Sequence, residues 1–371
     1  MASNFITRAL ATALKQPYDF NAPLIINGIE IKTGERKIID IPFGQLVSHD
    51  VAKLRVHVIR GKRPGPRVLV TGGIHGDELN GVEIARQLVS SKRLIGLRGD
   101  VIVIPVVNLP AFLIRSRYLP DRRDLNRLFP GAAKGSLGAR LLHTFLYEVA
   151  LKCTHCIDLH TAAIGRTNLP QVRVCIDDEN ALEMGYAFNA PVIIPSPIRD
   201  GSLRAALTFY GITTVLYEAG EANYIDIPAV KFGLTGIISA LISLGILQER
   251  KSDLKRRHPS ALCTQSTWLR APSGGLFRAL VPLGKAVSKG DLIAAIGDPF
   301  STKETQLIAD CDGIVIGRTT QALVDEGDAL FHIGLPSSSY HTRVEERITQ
   351  AADHVLADSD PTPYYDPIGS Q

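Results

Sequence analysis

The chain has 371 residues, of which 45% are hydrophobic and 21% are charged, so it can bury a sizeable core and is long enough for two domains. Its formal net charge of +4 is weak for this length, and no dense stripe of Lys and Arg with interleaved aromatic residues occurs. This composition indicates a globular protein and excludes nucleic acid from the expected partners.

The predicted elements begin with short β-strands between residues 24 and 59, with turns at Asn27-Gly28 and Thr33-Gly34. After a turn cluster over 61–66, an apolar run over 67–71 ends in glycines and predicts a buried strand. From there strands alternate with helices. Further strands are predicted over 100–107, 156–159, 172–176, 191–194 and 213–217, and helices over 80–88, 137–151 and 230–246. This alternation predicts an α/β domain with a mostly parallel mixed sheet flanked by helices.

The composition changes near Gln248, where a charged run over 249–258 predicts a linker. Residues 287–292 resemble residues 324–329, so the same turn is expected to enter an inward-facing strand twice. Short β-like pieces predict a small all-β domain and cover 275–277, 281–284, 292–296, 313–316 and 329–333. The expected division is an α/β domain over 1–250 with an N-terminal β lead at about 20–60, a β-rich domain over 260–336, and a polar, partly ordered tail over 337–371.

Cysteine use and hydropathy bear on the compartment. The five cysteines are few and odd in number, so we expect no disulfide framework and a reducing environment. Residues 1–14 lack the apolar core and cleavage site of a signal peptide. The longest uncharged apolar stretch, 232–247, is shorter than the ~20 residues that span a bilayer, which favours a buried helix. We therefore expect a cytoplasmic protein without a membrane partner.

Two short segments that follow predicted strands carry metal-ligand residues. His75 and Glu78 are three residues apart, so both can converge on one point where a helix begins, and neighbouring glycines allow a tight turn. His160 follows the strand 156–159, and ligand sites of open α/β sheets gather at such strand ends. Two imidazoles and one carboxylate with an open fourth position are typical of catalytic zinc and predict a hydrolase. His-x-x-Glu alone is also compatible with an ordinary helix N-terminus, where the negative charge of Glu78 interacts favourably with the helix dipole.

Four motifs follow one another along the chain: His75-Gly-Asp-Glu78, Asp124-Leu-Asn-Arg127, Asp158-Leu-His160 and Glu218-Ala-Gly220. In this order they resemble the motifs of the succinylglutamate desuccinylase/aspartoacylase family, which belongs to the zinc carboxypeptidase-like superfamily. The resemblance covers roughly residues 68–246. It implies a zinc-carboxypeptidase-like fold with one Zn²⁺ ion held by His75, Glu78 and His160.

The resemblance also implies the groups that carry the reaction. Glu218 would be the general base and acid, and it follows the predicted strand 213–217, which brings it to the edge of the sheet where the zinc ligands lie. Glu221 is the nearby competitor for this role. Arg127 matches the family's oxyanion-stabilising arginine, and Asn126 matches its substrate-binding neighbour.

The loop before these residues contains several arginines. Arg117 matches the family's arginine for the substrate carboxylate, which a planar guanidinium can bind with two parallel hydrogen bonds. Arg115, Arg122 and Arg123 lie close to it in sequence, and a solvated basic loop is the alternative interpretation of the cluster.

Two aspartates are expected to support the zinc ligands. The resemblance implies that Asp124 orients His75 through its second ring nitrogen. Asp158 alternates in phase with His160 on one strand, so it is expected to face the site as well.

The C-terminal β segment resembles the barrel-sandwich of biotinyl/lipoyl-like domains, as in the subgroup of bacterial predicted deacylases that includes N-acetyl-diaminobutyrate deacetylase. No functional residue is carried over to this segment. Lys303 lacks the flanking methionines of a biotin site, so a structural or lid-like role is expected.

These features predict a zinc-dependent amidohydrolase that acts on an N-acyl amino acid or a related small carboxylate-bearing amide. The alternatives are a metallocarboxypeptidase for short peptides and a non-catalytic zinc-holding binding module. The expected partner is a small-molecule substrate. The sequence leaves open the acyl group, the amine, the choice among divalent ions and the oligomeric state, and a homo-oligomer is compatible with it.

Overall fold

The computed structural model describes residues 18–254 and 260–337. The first ten strands are β1 (Leu24–Ile26), β2 (Ile29–Ile31), β3 (Arg36–Gln45), β4 (Val51–Arg60), β5 (Arg63–Thr71), β6 (Arg98–Ile104), β7 (His155–Ala162), β8 (Arg166–Val174), β9 (Val192–Pro195) and β10 (Thr213–Glu221). The strands after residue 260 are β11 (Ala261–Arg270), β12 (Gly275–Ala279), β13 (Ala286–Val287), β14 (Leu292–Gly297), β15 (Glu304–Ile308), β16 (Gly313–Thr319), β17 (Leu323–Val324) and β18 (Ala329–Pro336). The helices are α1 (Leu79–Ser90), α2 (Leu109–Leu113), α3 (Leu137–Glu148), α4 (Glu179–Phe188), α5 (Leu203–Phe209), α6 (Ile227–Ser243) and α7 (Lys251–Leu254).

Most of these helices begin where a polar side chain caps the first turn. In α2 to α6, the residue before the helix accepts a hydrogen bond from a backbone N–H three residues further on, which satisfies a donor that the helix itself leaves unpaired. The caps are Asn108, Ser136, Asp178, Ser202 and Asp226. These residue types therefore set the start of each helix locally.

A mixed sheet of 12 strands forms the centre of the molecule, in the order β13-β16-β18-β11-β9-β8-β10-β7-β5-β6-β4-β3. Strands β6, β5, β7 and β10 are mutually parallel. Strands β3 and β4 continue the sheet in antiparallel pairing on one side, and β8 pairs antiparallel with β10 on the other. The predicted α/β class is confirmed, with antiparallel pairing at both flanks of a parallel centre.

Apolar residues cover both faces of the parallel strands. On β5, Leu69 packs into the cluster that contains residues of α3 and α5, whereas Val68 and Val70 pack into the cluster that contains residues of α1, α4 and α6. A strand buried on both faces reads as a continuous apolar run, which is why its sequence predicts a buried strand. Among the described residues, no helix combines the length and the apolarity needed to cross a bilayer.

Strands from the C-terminal segment complete the sheet that the earlier strands begin. β11 pairs in parallel with β9, and β16 pairs antiparallel with β8. Together β8, β9, β11, β18 and β16 close a five-stranded barrel. A separate sheet has the order β15-β14-β12-β17. The predicted domain division and the barrel-sandwich likeness stay predictions, and backbone hydrogen bonds join the two segments.

Several sequence predictions need correction or fall outside the described residues. The N-terminal strands were expected to be short, but β3 and β4 are each 10 residues long and pair along their full length. The strand predicted over 281–284 is wrong: this stretch is a turn in which Gly284 has φ +81°. Residues 1–17 of the first domain, 255–259 of the linker and 338–371 of the tail lie outside the described residues.

The predicted internal repeat is present as two similar turns. The Asp291 carboxylate accepts a hydrogen bond of 2.8 Å from the Ser288 backbone N–H before β14, and Asp328 does the same for Asp325 at 2.9 Å before β18. A glycine with positive φ precedes each aspartate, at +101° in the first turn and +88° in the second. The same short sequence therefore builds the same entry into two strands.

One close approach fixes the position of α6 behind β10. A Cβ on Gly236 would lie 2.1 Å from Cε1 of Phe188, whose ring stacks on Tyr217 with the two centroids 5.1 Å apart. The Tyr217 hydroxyl in turn donates to the Ala229 carbonyl at 2.7 Å. This packing supports the strand that carries Glu218 on its other face.

We expect Gly236→Ala to lower the free energy of unfolding by ~1–3 kcal/mol because the added methyl group overpacks the Phe188 ring. The loss should appear in urea denaturation despite the better helix propensity of alanine. In a Phe188→Leu background the same substitution should cost less, and an equal cost in both backgrounds would contradict this explanation.

Candidate metal centre

The turn between β5 and α1 carries the first two candidate ligands. Gly73 has φ +61°, and a Cβ on Gly76 would lie 2.1 Å from the backbone carbon of Ala111, so glycine is required for this close approach. Glu78 is the residue before α1, yet its side chain makes no capping hydrogen bond. The carboxylate points instead towards two histidines, so the alternative of an ordinary helix start does not describe it.

The third candidate ligand lies on the neighbouring strand β7. Strands β5 and β7 are parallel, with Thr71 beside Asp158. The chain that leaves β5 therefore turns directly above the end of β7, where His160 lies. This register brings together two segments that are distant in sequence, as the sequence analysis predicted.

The three side chains form a compact buried group. Nδ1 of His75 lies 2.7 Å from Oε1 of Glu78, and Nδ1 of His160 lies 2.7 Å from Oε2. The ring centroids are 5.2 Å apart, and one ligand atom from each residue falls within 4.8 Å of the others. No other group of this kind occurs among the described residues.

The second nitrogen of each histidine contacts a carboxylate. Nε2 of His75 lies 3.0 Å from Asp124, and Nε2 of His160 lies 2.8 Å from Asp158. Because an ionised carboxylate only accepts hydrogen bonds, each Nε2–H donates to its aspartate and each Nδ1–H donates to Glu78, and a bound cation would take the place of the two Nδ1 protons. The hydroxyl of Thr71 donates to Asp158 at 2.9 Å and holds it in place. Asp124 therefore contacts His75, and Asp158 contacts His160, and their supporting role stays a prediction.

Burial and opposite charges shift the pKa values of the group. Burial disfavours protonated His75, but the nearby Glu78 and Asp124 carboxylates outweigh it and raise the pKa of His75. The pKa of His160 is raised further because Asp158 and Glu78 both outweigh its burial. Burial also opposes ionisation of Glu78, yet the two imidazoles hold its pKa well below the usual range.

The donor set fits zinc. Two imidazole nitrogens and one carboxylate oxygen are the protein ligands of many catalytic zinc sites, which keep a fourth position for water or substrate. Hydrogen bonds from the second ring nitrogen to carboxylates are usual for zinc-bound histidines. Two Nδ1 atoms beside a buried carboxylate also suit a cation, because an uncompensated buried charge is costly.

Glu218 lies beside this group on β10. Its Cα is the register partner of His160, and paired residues of neighbouring strands point to the same side of the sheet. Its Oε1 accepts a hydrogen bond of 2.7 Å from the Asn168 amide, and its Oε2 lies 3.0 Å from Nε of Arg173. The competitor Glu221 accepts instead from the Gly165 backbone at 2.8 Å and is committed to that turn.

The arginines predicted in the preceding loop separate by their contacts. Arg117 Nη1 lies 2.9 Å from Oε1 of Glu78, and its Nη2 lies 3.4 Å from Asp124. Arg123 forms an exposed pair with Asp121, and the exposed Arg115 and Arg122 both have positive φ. Arg117 is therefore the arginine of this loop that contacts a candidate metal ligand, Glu78.

Asn126 and Arg127 lie in the short 3₁₀ turn after Asp124. Nη1 of Arg127 donates to the Asn126 carbonyl at 2.6 Å, and the Arg127 side chain is otherwise exposed. Oδ1 of Asn126 accepts from the Leu203 backbone at 2.8 Å, and the Nδ2 donor of this side chain remains for a ligand.

Polar residues that the sequence analysis did not predict also face the site. Gln171 on β8 is the register partner of Glu218, is fully buried, and has no hydrogen-bond partner among the described residues. Arg173 follows it on the same face, and Arg204 lies close enough to Arg173 that burial and this positive charge lower the pKa of Arg204. The signal was the alternation of Gln171 and Arg173 with apolar residues, since a strand places every second residue on one face.

Comparisons with known proteins show which family the matched region resembles. Residues 64–244 match the family model described as the succinylglutamate desuccinylase/aspartoacylase catalytic domain. The chain is 27% identical over 281 residues to N-alpha-acetyl-L-2,4-diaminobutyric acid deacetylase of Halomonas elongata, a match that covers 72% of this chain and 81% of that protein. It is 31% identical over 145 residues to succinylglutamate desuccinylase of Photorhabdus laumondii, which covers 34% of this chain and 44% of the relative.

Solved structures share the fold. The product-bound ectoine utilization protein EutE (DoeB) from Ruegeria pomeroyi has a TM-score of 0.72 at 24% identity, over 85% of this chain and 98% of that chain. A succinylglutamate desuccinylase from a Silicibacter species has a TM-score of 0.72 at 25% identity, with the same coverage. The matched region contains the four motifs with His75, Glu78, His160 and Glu218, and residues 64–244 form a catalytic domain of the succinylglutamate desuccinylase/aspartoacylase family.

Proposed function

We propose that this protein is a zinc-dependent amidohydrolase that removes an acyl group from an N-acyl amino acid or a related small carboxylate-bearing amide. One observation carries the proposal: the Nδ1 atoms of His75 and His160 converge on Glu78, with Glu218 in register beside His160. The match to the family's catalytic domain supports it, because the named relatives are a deacetylase and a desuccinylase.

His75, Glu78 and His160 would hold one zinc ion. When bound, zinc supplies a Lewis acid for the amide carbonyl and lowers the pKa of a water molecule towards neutrality. The hydrogen bonds to Asp124 and Asp158 would orient both imidazoles so that each Nδ1 can bind the ion.

Glu218 would move the proton. Its carboxylate takes a proton from the attacking water as the carbon–oxygen bond forms, and it delivers this proton to the amide nitrogen as the carbon–nitrogen bond breaks. The side chain is only 13% exposed, and both oxygens are held by neighbours, so the carboxylate has a defined orientation. Glu221 would contribute only indirectly, by stabilising the turn whose Gly165 backbone N–H it binds.

The contacts of the two arginines support an exchange of the roles that the family resemblance implied. Arg117 lies 2.9 Å from an oxygen of a candidate metal ligand, so its guanidinium is placed to stabilise charge on a carbonyl oxygen at the metal. Arg127 has an exposed side chain beside the free donor of Asn126, and we assign this pair to the substrate carboxylate.

The roles of the two chain segments, the partner and the compartment follow from the same proposal. The α/β segment up to residue 250 would carry catalysis, and the strands after residue 260 would shape the site. A small-molecule substrate is the expected partner. None of the five cysteines forms a disulfide bond, which supports the expected reducing, cytoplasmic compartment.

A panel of N-acetyl, N-succinyl and N-formyl amino acids tests the proposed function through release of the free amine. Turnover of at least one compound should be lost with a chelator and restored by Zn²⁺. Dipeptides serve as the competing substrates, and faster turnover of dipeptides would favour a carboxypeptidase.

In the same assay Glu218→Gln should lower kcat by about 10²–10⁴-fold with zinc retained, because the proton carrier is removed. Glu221→Gln is the matched control, and equal losses in both variants would contradict the assignment.

Zinc affinity should depend on the carboxylate behind His75. We expect Asp124→Asn to weaken zinc binding by about 10–100-fold in competition with a chromophoric chelator, because the neutral amide supports Nε2–H less well. Asp121→Asn is the control, since this carboxylate pairs with Arg123 on the surface. Unchanged affinity in Asp124→Asn would show that Asp124 does not support the ligand.

The two arginines should separate in steady-state kinetics. Arg117→Lys should lower kcat by about 10²-fold, because a donor to the developing oxyanion is lost. Arg127→Lys should mainly raise KM, because it binds a substrate group that does not change during the reaction. The opposite pattern would return the roles to those implied by the family resemblance.

A further inference from the structure

Glu218 is contacted by side chains of β8, a strand that also belongs to the five-stranded barrel. The Asn168 amide donates to Oε1 at 2.7 Å, and Nε of Arg173 lies 3.0 Å from Oε2. Both residues are on β8, and Asn168 is 8% exposed. Both contacts of this carboxylate therefore come from β8, as a hydrogen bond on Oε1 and an ion pair on Oε2.

Asn168 lies between β10 on one side and β16 on the other. Its register partner on β10 is Gly220, and its partner on β16 is Gly317. A Cβ on Gly317 would lie 2.6 Å from Oδ1 of Asn168, closer than real Cβ atoms approach an oxygen. Oδ1 faces Gly317 while Nδ2 faces Glu218, so the amide fills the gap between the C-terminal strand and the candidate base.

Further hydrogen bonds tie the end of β16 to the same corner. The Thr319 hydroxyl donates to the Gly165 carbonyl at 3.1 Å, and the Thr320 backbone N–H donates to it at 3.0 Å. The Glu221 carboxylate accepts from both the Gly165 N–H and the Thr320 hydroxyl, at 2.8 and 3.0 Å. The end of β10, the turn before β8 and the end of β16 are therefore one connected unit around Asn168.

We propose that the C-terminal strand β16 positions the general base: Gly317 leaves the space in which Asn168 holds Glu218 in its working orientation. This inference rests on the proposed function, which makes Glu218 the proton carrier. Asn168 acts through Glu218 and is a positioning residue. Strand β16 thus acts on Glu218 through Asn168 and does more than cover the site.

The physical reason lies in the direction of the carboxylate. A proton carrier must lie within hydrogen-bond reach of the water and of the leaving nitrogen, and a displacement of about 1 Å can cost 10²-fold in rate. Without the amide donor, Oε1 of Glu218 loses a fixed partner and the carboxylate can rotate towards Arg173. The candidate metal ligands His75 and Glu78 lie in the turn before α1 and His160 lies on β7, so this change does not touch them.

Gly317→Ala tests the inference without removing any polar group. The new methyl group first meets the end of the flexible Asn168 side chain, with the next atom, Cβ of His332, at 3.4 Å, so the chain should fold while the amide is pushed aside. We expect kcat to fall about tenfold, with KM within about twofold and zinc content unchanged. Gly297→Ala is the matched control, because a Cβ there meets nothing within 4 Å. Thermal unfolding of each variant reports on folding.

A double-mutant cycle makes the result decisive. Asn168→Ala should also lower kcat about tenfold, and Gly317→Ala should add little to it, because the amide that it displaces is already gone. Full activity of Gly317→Ala, or the same loss with and without Asn168, would overturn the inference. Wild-type turnover in Glu218→Gln would instead refute the proposed function, so the two failures are distinguishable.

Discussion

The carboxylate of Glu78 between two imidazoles is the interaction on which the rest of the site depends. Its Oε2 lies 2.7 Å from Nδ1 of His160, which is 82 residues further along the chain. A buried carboxylate is costly unless charged or hydrogen-bonding groups surround it. The glycine turn after β5 and the parallel register of β5 and β7 bring the two histidines to this carboxylate. The guanidinium of Arg117 lies beside it as well. Removing any partner would leave a buried charge uncompensated.

Strand alternation lets one short segment serve packing and chemistry together. On β10, Glu218 faces the metal group while Tyr217 faces the helices, where it stacks on Phe188. On β7, Asp158 and His160 face the site, and Ile157 and Leu159 pack in the core with α1. The orientation of the reactive groups is therefore maintained by the same apolar contacts that stabilise the sheet.

Local signals explain what the sequence predicted and long-range pairing explains what it did not. His75, Glu78 and His160 were identified because glycines and strand ends lie beside them in the sequence, and the α/β class followed from alternating apolar runs. The barrel was not predicted, because its closing pair joins β8 to β16 and no periodicity within either strand reveals the partner. Gln171 was missed because the predicted strand began one residue after it. The positions of Arg117 and Arg127 depend on an irregular loop, which hydrophobic periodicity does not describe.

The closure of the barrel also bears on how the protein matures. Thr319 and Gly165 are bonded across 154 residues of sequence, and contacts so distant form late because the intervening chain must first be ordered. The turn after β5 and strand β7, which carry the candidate metal ligands, leave the ribosome long before β16 does. If Gly317 and Asn168 hold the base as inferred, a nascent chain can assemble its ion site early, and hydrolytic competence arrives only when the last barrel strands dock.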